Sequence, residues 1–93
     1  MKFTVALAPL AIEDLRRFNA WLTLRNPKMA IRLADLFEEA LESLKEHPMR
    51  GRLIDDPLRE LNLPFGKHAY ILRYSIIGRN VFVARIWHSL EDR

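Results

Sequence analysis

Five arginines and one histidine in the second half of the chain have the most chemistry to offer: Arg50, Arg52, Arg59, Arg73, Arg85 and His88. A histidine changes charge near neutral pH and can pass a proton to or from a substrate. A guanidinium grips phosphate or carboxylate through two parallel hydrogen bonds. Together these side chains suit two chemistries. One is RNA cleavage through a 2′-hydroxyl, with His88 as general acid or base and Arg73 or Arg59 clamping a crowded phosphate. The other is a docking face, where arginines meet acidic side chains of a partner and Ile, Ala and Phe meet its apolar anchors. Residue types alone favour docking.

Other chemistries have less to stand on. There is no cysteine, which excludes disulfides, thiol nucleophiles and Cys-ligated zinc. His47, His68 and His88 do not fall at metal-ligand spacings, so no metal is expected. His47 reads as a helix-end cap and His68 as a hairpin-loop residue. Gly51, Gly66 and Gly78 are scattered in turns and form no phosphate-binding loop, so no cofactor is expected. Ser43, Ser75 and Ser89 lack the context of a hydrolase nucleophile.

The chain of 93 residues is one domain by length, residues 1–93, and is 49% hydrophobic, enough for a core. So small a domain buries a modest fraction of its surface, and a partner can supply further stability. The apolar start "FTVALAPLAI" is too short and too closely followed by charge to read as an export signal. No apolar run approaches the ~20 residues of a membrane span. The net charge of +3 lies wholly in the second half: residues 1–46 balance seven Lys/Arg against seven Asp/Glu, and residues 47–93 carry eight against five. Seven of those eight cations are arginines, which points to an acidic partner, protein or nucleic acid.

The elements that position these residues follow from spacing. "KFTVAL" reads as a short strand. Pro9 suits the first turn of a helix in which Ala11, Leu15, Phe18 and Leu22 recur on one face, with Glu13 and Asp14 in its first turn and Arg25 in its last. Asn26-Pro27 stops that helix and caps a second one running to about His47, with an apolar stripe of Ala30, Leu33, Ala34, Phe37, Ala40, Leu41 and Leu44. The connection is so short that the helices must form an antiparallel hairpin. "PMRGRLIDDP" reads as a loop. Three strands follow, "LRELNL", "AYILRYSI" and "VFVARIWH". The expected fold is α+β, in the order β-α-α-β-β-β, with a helical hairpin packed on a small, mainly antiparallel sheet.

If Gly78 and Arg79 are the two loop residues of the last hairpin, Ile77 faces Asn80, Arg73 faces Ala84 and Ala69 faces His88. Regular alternation then puts Arg73 and His88 on one face, and Tyr70, Tyr74, Val83 and Trp87 on the other.

The order of elements and the phrases "LRELNLPFGKHAYILRYSI" and "VFVARIWHSLEDR" resemble the RelE/ParE superfamily of toxins from type II toxin–antitoxin modules. The resemblance covers essentially the whole chain. Its most telling parts are the strand Ile71 to Tyr74 and the strand ending Ile86 to His88. It implies a cytoplasmic toxin, held inactive in a hetero-oligomer with an acidic, partly disordered antitoxin whose C-terminal segment wraps along sheet and helices. RelE-like members are ribosome-dependent mRNA endonucleases, whereas ParE-like members poison DNA gyrase. The nuclease branch commonly has an arginine three residues before the tyrosine of the penultimate strand, where this chain has Ile71. Several nucleases place a tyrosine near the terminal histidine, where this chain has Ser89. The resemblance therefore favours the ParE-like branch, with an mRNA endonuclease or an inactive antitoxin-binding relative as alternatives.

Overall fold

A computed structural model describes residues 2–91. In chain order the elements are β1 (Thr4–Leu7), α1 (Pro9–Arg25), α2 (Pro27–Glu46), a 3₁₀ turn over Pro48–Arg50, β2 (Arg52–Asp55), β3 (Leu58–Phe65), β4 (His68–Ile77) and β5 (Asn80–His88). The strands form one sheet in the order β1-β5-β4-β3-β2. β1 runs parallel to β5, and every other pairing is antiparallel. The expected helical hairpin on a mainly antiparallel sheet is present, with one strand more than the sequence suggests. Asp92 and Arg93, the end of the polar tail, lie outside the described residues.

The added strand is β2, within the stretch read as a loop. All four of its residues are exposed and it pairs only with β3, at the sheet edge. A strand that buries neither face has no reason to alternate polar and apolar residues, so its sequence carries no strand pattern. Two further boundaries move. His68 is the first residue of β4, paired with Phe65, not a loop residue. Glu13 and Asp14 lie beyond the first turn of α1, because that helix starts at Pro9.

The helical hairpin is built as its sequence dictates. The Asn26 side chain accepts a hydrogen bond from the Met29 N–H at 3.3 Å, and Pro27 occupies the first helical position. α2 buries Ala30, Leu33, Phe37, Ala40 and Leu44, and α1 buries Ala11 and Phe18. They close over Leu61, Leu63, Tyr70, Leu72, Tyr74, Val81, Val83 and Ile86 of the sheet. The Tyr70 ring lies edge-on to Phe18, Phe37 and Phe65 at centroid distances of 4.9, 5.4 and 5.9 Å. Each such aromatic pair adds about 0.5–1.5 kcal/mol beyond burial.

The last hairpin turns as expected, with Ile77 opposite Asn80. Gly78 has φ +61°, as a two-residue turn with glycine first requires, and among the described residues no non-glycine residue has positive φ. The pairing stays regular as far as Tyr74 opposite Val83. It then shifts: Arg73 faces Arg85, Ile71 faces Trp87 and Tyr70 faces His88. Ala84 is the extra residue of a β-bulge. The bulge overturns the expected shared face of Arg73 and His88. His88 moves to the helix-covered face with Tyr70, and Trp87 moves to the open face with Arg73.

Candidate functional site: an arginine face and a buried carboxylate

On the open face of the sheet, Glu60 of β3 stands opposite Arg73 of β4. Its carboxylate is only 7% exposed. It accepts from Arg73 Nε at 3.0 Å and from an Arg73 terminal nitrogen at 2.5 Å. Arg52, from edge strand β2, approaches the other carboxylate oxygen at 3.7 Å. The Arg73 guanidinium also lies 4.9 Å from the centre of the Trp87 ring, and the Arg85 guanidinium lies 5.2 Å from it. Trp87 thus carries two cations, each also tied to a carboxylate.

Arg85's carboxylate partner is Asp14. β1 ends at Leu7, opposite Val83, so among the described residues the rest of β5 has no strand neighbour on that side. Asp14, from α1, fills the gap. One of its oxygens accepts from Arg85 Nε at 2.9 Å and from the Ile86 N–H at 2.8 Å, and the other accepts from Arg85 at 3.2 Å. Burial pushes the Asp14 carboxyl up. The hydrogen bonds from Arg85 and Ile86, the Arg85 charge and Arg17 outweigh this and hold it below the ordinary carboxylate range. Arg17 continues the ladder to Glu91 at 2.5 Å. Burial pushes Glu91 up as well, and the Arg17 side chain and His88 N–H bring it below its usual value.

His88 ends β5 inside this frame. Its ring meets Tyr70 at 5.1 Å and His68 at 5.2 Å, both edge-on. Its Nδ1 accepts from the Leu90 N–H at 3.2 Å. Arg59 lies across the sheet from Arg73, beside Tyr74, and donates to the carbonyls of Met49 and Gly51 at 3.1 and 2.8 Å. Arg50 donates to Ser43 Oγ at 2.6 Å. A hollow of about 420 Å³ opens beside the Glu60–Arg73 pair, lined by Arg50, Arg52, Asn62 and Ile71. The structure therefore gathers Arg50, Arg52, Arg73 and Arg85 around the open face and sets Arg59 and His88 apart. Sequence reasoning missed Glu60, Asp14 and Trp87 as the organisers of that face. A signal for Glu60 was available: a lone acid between leucines in a strand facing an arginine strand.

Over residues 5–93 the chain matches the profile of the family described as "ParE toxin of type II toxin-antitoxin system, parDE". The chain belongs to that toxin family. It is 47% identical to toxin RelE1 of Caulobacter vibrioides, both chains covered in full. It is 41% identical to toxin RelE3 of the same organism, over 97% of this chain and 98% of that one. A solved structure, "Chromosomal ParDE TA system from P. aeruginosa", shares its fold with a TM-score of 0.74 at 15% identity, covering 94% of this chain and 96% of that one.

A second surface feature of this ParE-family toxin lies on its helical side. Between the helices runs an apolar groove of about 330 Å³, floored by Leu15, Ala30, Leu33, Ala34 and Phe37 with Glu38 at its rim. Among the described residues no group of three or more His, Asp or Glu side chains is placed to hold a metal ion, and no helix is long and apolar enough to cross a membrane.

Proposed function

We propose that this toxin acts in the cytoplasm by binding its target, as a ParE-type inhibitor of DNA gyrase, and that its antitoxin lays an acidic, partly disordered segment across the arginine face. One observation carries the reading. The bulge at Ala84 leaves Arg73 and His88 on opposite faces of the sheet. Cleavage of RNA needs a proton-transfer group and a phosphate clamp at one point. Here Arg73 is engaged with Glu60 and Trp87, Arg59 is engaged with the Met49 and Gly51 carbonyls, and the histidine lies against Tyr70 and His68. Arg50, Arg52, Arg73 and Arg85 serve as the antitoxin-binding cations, and a disordered acidic segment gains its order on contact with them.

The names of the RelE relatives support a second reading, a ribosome-dependent mRNA endonuclease using His88 with Arg73 or Arg59. Two assays on the purified, antitoxin-free chain decide between them. Inhibition of gyrase supercoiling with intact mRNA in a cell-free translation reaction is the expected result. Ribosome-dependent cuts mapped by primer extension, with gyrase unaffected, would overturn it. A folded chain inactive in both assays would be an antitoxin-binding relative without toxicity.

A further inference from the structure

The balanced charge of the first half hides a polarised helical hairpin. From Leu15 to Ala34 there is no Asp or Glu, and five cations fall in the stretch: Arg16, Arg17, Arg25, Lys28 and Arg32. The acids of α2 lie farther from the turn, at Asp35, Glu38, Glu39, Glu42 and Glu46. Arg17 is neutralised by Glu91 and Asp14. Arg25, Lys28 and Arg32, around the turn that joins the helices, form no ion pair among the described residues. The arginine face is built the opposite way, with Arg52, Arg73 and Arg85 each drawn to a carboxylate.

The same end of the hairpin exposes large apolar side chains. Leu24 is 84% exposed and Trp21 is 56% exposed. Trp21, Leu24 and Arg25 stand at i, i+3 and i+4, so they share one face of α1. Arg25 is fixed there: it donates to the Trp21 carbonyl at 3.1 Å, and its guanidinium lies 4.1 Å from the Trp21 ring centre. Tryptophan and arginine are the residues most enriched at the energetic centres of interfaces, and a pre-positioned pair loses less freedom on binding. Phosphates would use the cations alone and leave Leu24 in water. An acidic protein surface with an apolar hollow uses both.

We infer that the tip of the helical hairpin, Trp21, Leu24 and Arg25 with Lys28 and Arg32, is the surface by which this toxin docks on an acidic surface of its target protein. The inference rests on the reading that the toxin acts by binding a protein. The test uses two variants of the full chain, Leu24→Glu and the pair Arg25→Glu with Lys28→Glu. All three side chains are exposed, so the melting temperature should stay within a few degrees of the parent. Growth arrest on induction is the first readout because it presumes no particular target. Both variants should lose it, should need at least about tenfold more protein to half-inhibit gyrase, and should bind the antitoxin within about threefold of the parent. Growth arrest at the parent level would overturn the inference. An equal loss of antitoxin affinity would assign the tip to the antitoxin, and a matching loss of affinity for a short DNA duplex would assign it to nucleic acid; either overturns it too. A parent chain that arrests growth yet leaves gyrase untouched would overturn the gyrase reading alone, and the variants' growth arrest would still judge the tip.

Discussion

Asp14 and Arg85, 71 residues apart in sequence, are joined by two hydrogen bonds of 2.9 and 3.2 Å, and the same carboxylate takes the Ile86 N–H. An acid on the first helix thus closes the strand edge that β1 leaves open, and it orients an arginine of the candidate docking face. Removing it strips a buried N–H of its acceptor and a guanidinium of its counter-charge. Asp14→Ala should cost about 2–4 kcal/mol in urea unfolding, since an orphaned buried donor alone costs about 1–3. Asp14→Asn should cost less, because the amide oxygen can still accept one of these bonds.

The same carboxylate predicts a pH dependence. The folded Asp14 carboxyl lies below its unfolded value, so its contribution is complete above about pH 4, near the ordinary aspartate value, and is lost as pH falls through the folded value. Glu91 acts in the same direction. The melting temperature should therefore drop on acidification below about pH 4, and Asp14→Asn should flatten that drop. An unchanged acid limb in Asp14→Asn would show that the carboxylate is not responsible.

Tyr74 and Gly51 make a second checkable contact. The fully buried Tyr74 hydroxyl accepts from the Gly51 N–H at 2.9 Å and donates to the Pro48 carbonyl at 2.6 Å. Tyr74→Phe should cost about 1–3 kcal/mol. Gly51→Ala should also destabilise, because a Cβ there would lie 2.5 Å from that hydroxyl and 2.9 Å from the Glu60 carbonyl oxygen. The double variant should recover little of the loss, since the aromatic ring edge at 2.8 Å and the Glu60 carbonyl at 2.9 Å both remain. A double-mutant cycle measures the coupling.

His88→Ala should leave growth arrest within a few fold of the parent and reduce stability only modestly, by about 1 kcal/mol, through lost contact with Tyr70 and His68. Loss of growth arrest with antitoxin affinity and fold intact would make His88 a catalytic residue and restore the nuclease reading.

Antitoxin affinity should fall as salt rises from 50 mM to 500 mM, because exposed cations meeting an acidic segment are screened. Arg52→Ala should lessen that dependence, as Arg52 has the most solvent-exposed side chain of the ion-paired arginines. A salt-independent affinity would argue for an apolar contact instead, such as the groove between the helices.

The helices were legible because their determinants are local. Pro9, Asn26-Pro27 and the spacing of Ala30, Leu33, Phe37, Ala40 and Leu44 specify two antiparallel helices whatever surrounds them. The strands β3, β4 and β5 and the Gly78 turn were legible for the same reason, as were the arginine-rich composition and the resemblance to a toxin family. What alternation could not anticipate is the bulge at Ala84. An inserted residue leaves the string of residue types unchanged while exchanging the faces of everything after it, so Arg73 and His88 were expected together and lie apart. Nor could local pattern foresee that β1 stops at Leu7, or that Asp14 would turn inward to satisfy the open edge of β5. Those outcomes depend on pairings between residues more than 70 positions apart, where the cost of an unmet buried N–H, rather than any local preference, decides the arrangement.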